Sequence, residues 1–530
     1  MLNRVWRIAL EIAIAAGLVS MGFDPARGAA LPDAAALYQQ HCVACHGAQR
    51  LGGMGPALLP ESLERLRPPE ALNVIAHGRP ATQMPGFGDT LDAAQIAALV
   101  QWITTPVTPR PTWDDADILG SRIETPGARD LPAHPVWRAD PMNLFVVVEG
   151  GDHHVSLVDG DRFEVIHRFA TRYALHGGPK FSPDGRYVYL GSRDGWITKY
   201  DLWNLSPVAE VRAGLNMRNV AVSADGRWVM AGNTLPHTLA LFDSELNLVR
   251  TYLAANVAKS ATSRVSAVYD AAPRKSFIVA LKDLPEIWEI SYDPKAEPIQ
   301  DGLVHDYRMG ESIATPGYLG VRRTLLDEPL DDFFFDQAYR NVIGATRPKA
   351  GGAATAQVVN LDIRRRIASL PLPGMPHLGS GITFAWNGTT VLATPNLSTG
   401  VVSVIDMKTW LPVKQIATLG PGFFMRSHEN TPYAWVDAMM SPTAKDTLLV
   451  IDKRTLEPVA RVRAEPGKTL AHVEFTKDGR YALASLWEMD GALIVYDART
   501  FKEVKRLPMS KPVGKYNVWN KINRSEGTSH

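Results

Sequence analysis

The chain has 530 residues, a formal net charge of +1 and 45% apolar residues. That length exceeds one ordinary domain. The balanced charge leaves no footprint for nucleic acid or another polyanion, and no uncharged apolar run reaches the 18 residues of a membrane-spanning helix.

Residues 1–30 start with Arg4 and Arg7, continue through an apolar stretch broken by Glu11, and end in the small residues Gly28-Ala29-Ala30. This is the pattern of a secretory signal peptide, so the segment is set aside from the fold. An uncleaved anchor is the alternative, and the short, interrupted run speaks against it. The two cysteines of the sequence follow in His41-Cys42-Val43-Ala44-Cys45-His46-Gly47. C-x-x-C-H is the attachment motif of covalent haem c: two thiols add to the vinyl groups and the histidine, here His46, ligates the iron. A zinc site needs further Cys or His partners nearby, and a thioredoxin-type pair needs a βαβ context; neither is present. A disulfide is the remaining rival. The second axial ligand is expected downstream, at Met84 in Gln83-Met84-Pro85-Gly86-Phe87, with Met54 and His77 as competitors. A thioether ligand raises the haem potential, whereas a Met with no such role is an ordinary core residue. Helices are expected over Ala34–His41 and Leu91–Ile103, giving an all-α cytochrome c domain over residues 31–106. Haem c is attached outside the cytoplasm in bacteria, so the expected location is the periplasm.

Residues 107–138 open with Thr104-Thr105-Pro106-Val107-Thr108-Pro109-Arg110-Pro111 at their border and read as an extended Pro-rich linker. From residue 139 to 530 short apolar runs alternate with Gly, Asp and Asn turns. Asp184-Gly185-Arg186, Asp225-Gly226-Arg227 and Asp478-Gly479-Arg480 each precede a strand, and Asp-Gly marks a tight turn. Eight strands end in aspartate, at Asp159, Asp201, Asp243, Asp293, Asp362, Asp406, Asp452 and Asp497. Their spacing is 42 to 50 residues except for one interval of 69, read as an insertion around Asp301–Asp336. A period of that size with several strands per unit predicts an all-β eight-bladed β-propeller; a sandwich or solenoid is the rival.

In a propeller the loop entering each innermost strand lies near the axis on one face. Those positions hold His176, Arg218, Arg264, His377, Arg426-Ser427-His428 and His472. Each alone reads as a satisfied structural residue. Their shared phase predicts a ring of imidazoles for metal and proton work and guanidiniums for carboxylates.

A haem c domain followed by such a propeller resembles the cytochrome cd1 family. Tyr173-Ala174-Leu175-His176, Asp201-Leu202-Trp203, Pro376-His377-Leu378-Gly379 and Gly514-Lys515-Tyr516-Asn517-Val518 look like its phrases. The resemblance implies a carboxylate-rich tetrapyrrole, haem d1 or dihydro-haem d1, on the propeller face. His176 then matches its proximal iron ligand, and His377, Arg193 and Arg218 further contacts. In nitrite reductases of the family two distal histidines protonate nitrite. One matches His377; where the other belongs, Thr324-Leu325-Leu326-Asp327-Glu328-Pro329-Leu330 offers carboxylates. The C-terminal phrases, including Arg524–His530, look instead like the branch that dehydrogenates dihydro-haem d1 during haem d1 biosynthesis. In that branch His472 and Tyr516 match the catalytic pair: a propionate becomes an acrylate, and His472 has a pKa suited to a base. Haem c is the electron exit, a small periplasmic acceptor such as a c-type cytochrome takes the electrons, and the nitrite reductase is a recipient of haem d1. The remaining alternative is a carrier of haem d1 without chemistry.

Overall fold

A computed structural model describes residues 32–53, 55–63, 66–79, 84–109, 111–172, 174–300, 314–346 and 355–523. The signal-peptide segment 1–30, Met54, Gln83, Tyr173 and the phrase Arg524–His530 lie outside the described residues.

The N-terminal unit is helical. Ala34–His41 forms a helix whose N-cap, Asp33, accepts from two backbone amides. The last helix spans Ala93–Ile103, two residues shorter than expected at its start, because Asp92 caps it in a box with Gln95. Between them Val43–His46 forms one turn that Gly47 ends at φ +75°, and Pro68–His77 a longer helix. Tyr38, Ile75, Leu91, Leu99 and Ile103 make a small core.

Eight antiparallel sheets follow, one per blade, seven of four strands and one, blade 2, of five. Blades 2 to 8 each take four strands in sequence order, the first innermost and the fourth outermost. In blade 8 the inner strand Leu470–Phe475 is buried throughout, whereas the outer strand Glu503–Met509 is largely exposed. Blade 1 is different: Leu144–Glu149, His154–Asp159 and Glu164–Ala170 receive their inner strand from the other end of the protein, Pro512–Asn517. First and last strands thus close the ring. The apolar clusters lie between neighbouring blades, as where Met230 and Leu241 of blade 3 meet Phe277 and Trp288 of blade 4.

The recurrent aspartates have a local cause. Six of the eight third strands end on one and two end two residues before one; in seven blades its carboxylate caps the next turn, and in blade 5 Asn360 does so instead. Asp201 accepts from the amides of Trp203 (2.9 Å) and Asn204 (3.1 Å), and Asp497 from those of Arg499 (3.0 Å) and Thr500 (2.8 Å). The Asp-Gly-Arg phrase works likewise. Asp184 accepts from Arg186 N, Gly185 takes φ +71°, and Arg186 then reaches Asp201 at 2.8 Å.

The structure corrects two expectations. The long interval does not hold an insertion up to Asp336: Val321–Leu325 is the outer strand of blade 4 and Asp332–Phe335 the inner strand of blade 5. The additional residues fall between Ser291 and Val321. The Pro-rich segment is no extended tether. Asp115–Gly120 is helical, Ile123–Glu124 adds a strand to blade 2, and Trp113 donates to Arg212 O at 2.9 Å. Apolar residues at Trp113, Ile118 and Val107 dock this segment on the propeller, which overrides its proline content. No helix among the described residues is long and apolar enough to cross a membrane.

Candidate functional site

The helical unit sits on the propeller. Ala57 and Leu59 pack with Leu215 and Leu235 of the propeller, and Arg212 donates to Leu51 O at 3.2 Å. Between the two units runs one cavity of about 780 Å³, a size that suits a cofactor-scale ligand. Cys42, Cys45, His46 and Met84 line one part, and His176, Arg193, Arg264 and Lys282 another.

The first part fits haem c. Cys42 and Cys45 are not bridged by a disulfide. His46 is buried, and its Nδ1 bonds Pro56 O at 2.8 Å, which leaves Nε2 for an iron. Burial lowers its pKa, keeping the ring neutral as a ligand must be. A Cβ on Gly55 would stand 2.5 Å from His46 Cε1, so only glycine lets the ring lie there. Met84 lines the same space and packs in the cytochrome core. His77, the competitor, turns its Nδ1 to Asn73 O at 3.2 Å on the helix surface. Met84→His is therefore expected to keep the haem attached and lower its potential, imidazole replacing thioether. A redox titration with an unchanged midpoint would move the ligand elsewhere.

The second part is built around His176. Its Nδ1 bonds Arg218 O at 2.8 Å, so the ring carries that proton and presents its Nε2 lone pair. Arg193 meets Nε2 at 2.8 Å and Arg218 at 3.3 Å. Burial, then the charges of Arg193 and Arg218, hold the His176 pKa well below the ordinary value. A neutral imidazole whose Nε2 lone pair meets two guanidiniums fits an iron once those guanidiniums turn to the carboxylates of a tetrapyrrole.

His377, His472 and Tyr516 stand around the propeller axis and are not among the residues lining the cavity itself. They connect to it through shared neighbours. Arg218 reaches Asp332 at 3.4 Å, and Asp332 and Arg218 both act on His377. The Phe424 ring lies 6.1 Å from the cavity-lining Trp487 and 4.6 Å from His472. The Tyr516 ring is 5.2 Å from His472, and a Cβ on Gly178 would come within 3.0 Å of it. His377 Nδ1 bonds Phe423 O at 2.8 Å, turning Nε2 inward. Burial lowers its pKa, partly opposed by Asp332.

His472 occupies a β-bulge. The inner strand of blade 8 pairs Ala471 with Ser485 and next Glu474 with Leu483, so His472 and Val473 together face the single residue Ala484 and one residue is extra. His472 takes φ +51°, a left-handed conformation, costing about 1–3 kcal/mol in a non-glycine residue. Such bulges re-aim side chains beside active sites. Burial first, with the cations Arg426 and Lys521 adding to it and Lys515 doing so only when charged, holds its pKa well below the ordinary value. Burial pushes the Tyr516 hydroxyl up to about 12, against the pull of Arg426.

His428 is not part of this ring. A Cβ on Gly479 would touch its Nδ1 at 2.5 Å, and Asn430 beside it donates to Asp478 O. It therefore lies where inner strands turn into second strands, at the other end of the axis. Arg264 turns to Asp283 at 2.6 Å. The carboxylate facing His377 is Asp332, not Asp327 or Glu328: Asp327 pairs with Arg366 and Glu328 accepts from Thr355. Sequence reasoning missed Asp332, Tyr269, Glu474 and Lys521. Only the position of Asp332 at the head of an inner strand hinted at it.

The family described as Cytochrome D1 heme domain matches residues 139–307 and 315–521, and that of Cytochrome C oxidase, cbb3-type, subunit III matches residues 29–103. The dihydro-heme d1 dehydrogenase of Pseudomonas aeruginosa is 56% identical over 93% of this chain and 95% of its own length. A nitrite reductase of Stutzerimonas stutzeri is 26% identical over 96% of this chain and 97% of its own. A solved structure, dihydro-heme d1 dehydrogenase NirN in complex with DHE, superposes with a TM-score of 0.78 at 55% identity, covering 92% of this chain and 99% of that one. With a haem-binding helical unit, an eight-bladed propeller and these matches along nearly its whole length, the chain belongs to the cytochrome cd1 family, in the group that contains the dihydro-heme d1 dehydrogenase.

Proposed function

We propose that this protein is a periplasmic dehydrogenase of haem d1 biosynthesis, oxidising a propionate side chain of dihydro-haem d1 to an acrylate. The observation that carries it is a buried imidazole and a half-buried phenol, His472 and Tyr516, with ring centres 5.2 Å apart, Tyr516 lying against Gly178, two residues from His176. His176 binds that iron through Nε2, and Arg193 and Arg218 turn to the substrate carboxylates. Two C–H bonds break and one C=C bond forms, so two protons and two electrons leave. His472 takes a proton from a propionate carbon; the pKa lowered by its surroundings keeps it unprotonated and ready. Tyr516, its hydroxyl held protonated, donates a hydrogen bond to orient the carboxylate or the base. Cys42, Cys45 and His46 would hold haem c, which would supply a one-electron exit toward a small c-type cytochrome. The nitrite reductase of the same family is the destination of the product.

Anaerobic incubation with dihydro-haem d1 and an electron acceptor, followed by absorption, tests this. Conversion to the haem d1 spectrum is expected; binding with no conversion would leave a carrier. Nitrite is a second check. Asp332, engaged by Tyr269 at 3.0 Å and by Arg218, acts on His377, so a carboxylate and not a second histidine stands near it. Haem d1-loaded protein is expected to reduce nitrite far more slowly than a nitrite reductase measured alongside it.

A further inference from the structure

The substrate's protons must leave a site with almost no contact with water. His472 is 2% exposed, and the cations Arg426 and Lys521 weaken its hold on a proton. It serves as a base only if something behind it takes the proton onward. One group is placed to do so. Lys515 comes from the ring-closing strand, Tyr516's neighbour on the opposite face of that strand, and is fully buried. Its Nζ lies 3.5 Å from His472 Nδ1, donates to Ser485 Oγ at 2.9 Å and contacts the His472 carbonyl. It makes no ion pair among the described residues. A buried ammonium without a counter-ion costs several kcal/mol, about what drives such a lysine to lose its proton instead.

We propose that Lys515 is a neutral amine at rest and the proton relay behind His472, a residue that acts through His472 and not on the substrate. This rests on the dehydrogenase reading above. A C–H bond of the propionate breaks and its proton forms an N–H bond at His472 Nε2. The proton on His472 Nδ1 passes to the lone pair of Lys515 Nζ, giving an ammonium. The electron pair of the broken bond stays with the substrate and leaves as electrons of the oxidation. Before the second proton departs, the ammonium discharges toward Glu474. That carboxylate is fully buried on the axis, and its Oε2 has no hydrogen-bond partner among the described residues. The charged and titratable groups facing the pair are Arg426 from blade 7, Asp437 after its second strand, Glu474 from blade 8, and Lys521 from the helix Val518–Asn523. Burial lowers the Lys515 pKa well below the ordinary lysine value, opposed by Glu474 and Asp437 and aided by Arg426.

The experiment is single-turnover conversion of dihydro-haem d1 by the full haem c-containing protein across pH, with Lys515→Met and Lys515→Arg. Both variants are expected to bind substrate within about threefold of wild type by spectral titration and to convert it about tenfold more slowly or worse. The acidic limb of the pH profile discriminates. If Lys515 shares the incoming proton, its removal leaves His472 alone with its lowered pKa, so the limb moves to lower pH in Lys515→Met. If Lys515 is a fixed structural cation, its removal raises the His472 pKa, the limb moves to higher pH, and the relay is overturned. Arginine keeps a charge but cannot accept a proton, so restored conversion in Lys515→Arg overturns the relay as well, even should Lys515→Met not fold. Wild-type rates in Lys515→Met, or binding lost in step with conversion, do the same. A wild type that converts nothing would sink the dehydrogenase reading and the relay together, whereas the other outcomes strike the relay alone.

Discussion

His472→Ala is expected to slow conversion of dihydro-haem d1 by about 10²–10⁴-fold, the usual contribution of a positioned general base, while the substrate still binds. In the proposed binding mode His176, Arg193 and Arg218 hold the substrate, and among the described residues none of them hydrogen-bonds to His472 or stacks on it. The bulge complicates alanine, because residue 472 sits at φ +51°. Asparagine tolerates that region better, so His472→Asn is the companion variant: no base, less backbone strain. Rapid mixing under anaerobic conditions separates the binding spectrum from the conversion spectrum. Conversion at wild-type speed in both variants would place the base elsewhere, with His377 next; loss of binding in both would make His472 a ligand or a structural residue.

Replacing Cys42 and Cys45 together by alanine is expected to remove covalent haem c and abolish turnover with a one-electron acceptor. The propeller is expected to remain folded, since its blades bury their apolar residues against each other and not against the cytochrome core. Substrate binding at His176 should therefore persist. Turnover with a c-type cytochrome as acceptor is the measurement, alongside spectral titration of the substrate. Undiminished turnover would mean that electrons leave the propeller without passing through the helical unit, and the shared cavity would then have no electron-transfer role.

Much of this was legible in the sequence because the signals were local. Cys42-Val43-Ala44-Cys45-His46 carries its chemistry in five residues. The aspartates mark blades because seven of the eight cap a turn within a few residues of themselves, so the repeat survives sequence drift elsewhere. His176 and His472 could be grouped by their common place before an inner strand. The same phase misassigned His428, because Met425–Arg426 is a two-residue strand and the loop beyond it already belongs to the far end of the axis. The bulge at His472 left no composition signal. Lys515 meets His472 only because the ring-closing strand Pro512–Asn517 comes to lie beside Leu470–Phe475. The Pro-rich segment read as a tether because composition reports stiffness, not the apolar surface that Trp113 and Ile118 find.

The ring closes where Pro512–Asn517 pairs with Leu144–Glu149, and contacts such as that between Asn143 and Asn517 join residues 374 positions apart. Closing that loop carries a large entropy cost, and the seam is the natural place for the ring to breathe. Tyr516 belongs to the seam strand, while His176 belongs to the second blade. A substrate gripped by both spans the join like a clasp on a bracelet. By mass action a ligand at 100 times its dissociation constant adds about 2.7 kcal/mol to the state that binds it, and here that state is the closed ring. Loading the protein with its own substrate is thus also a way of locking its architecture shut.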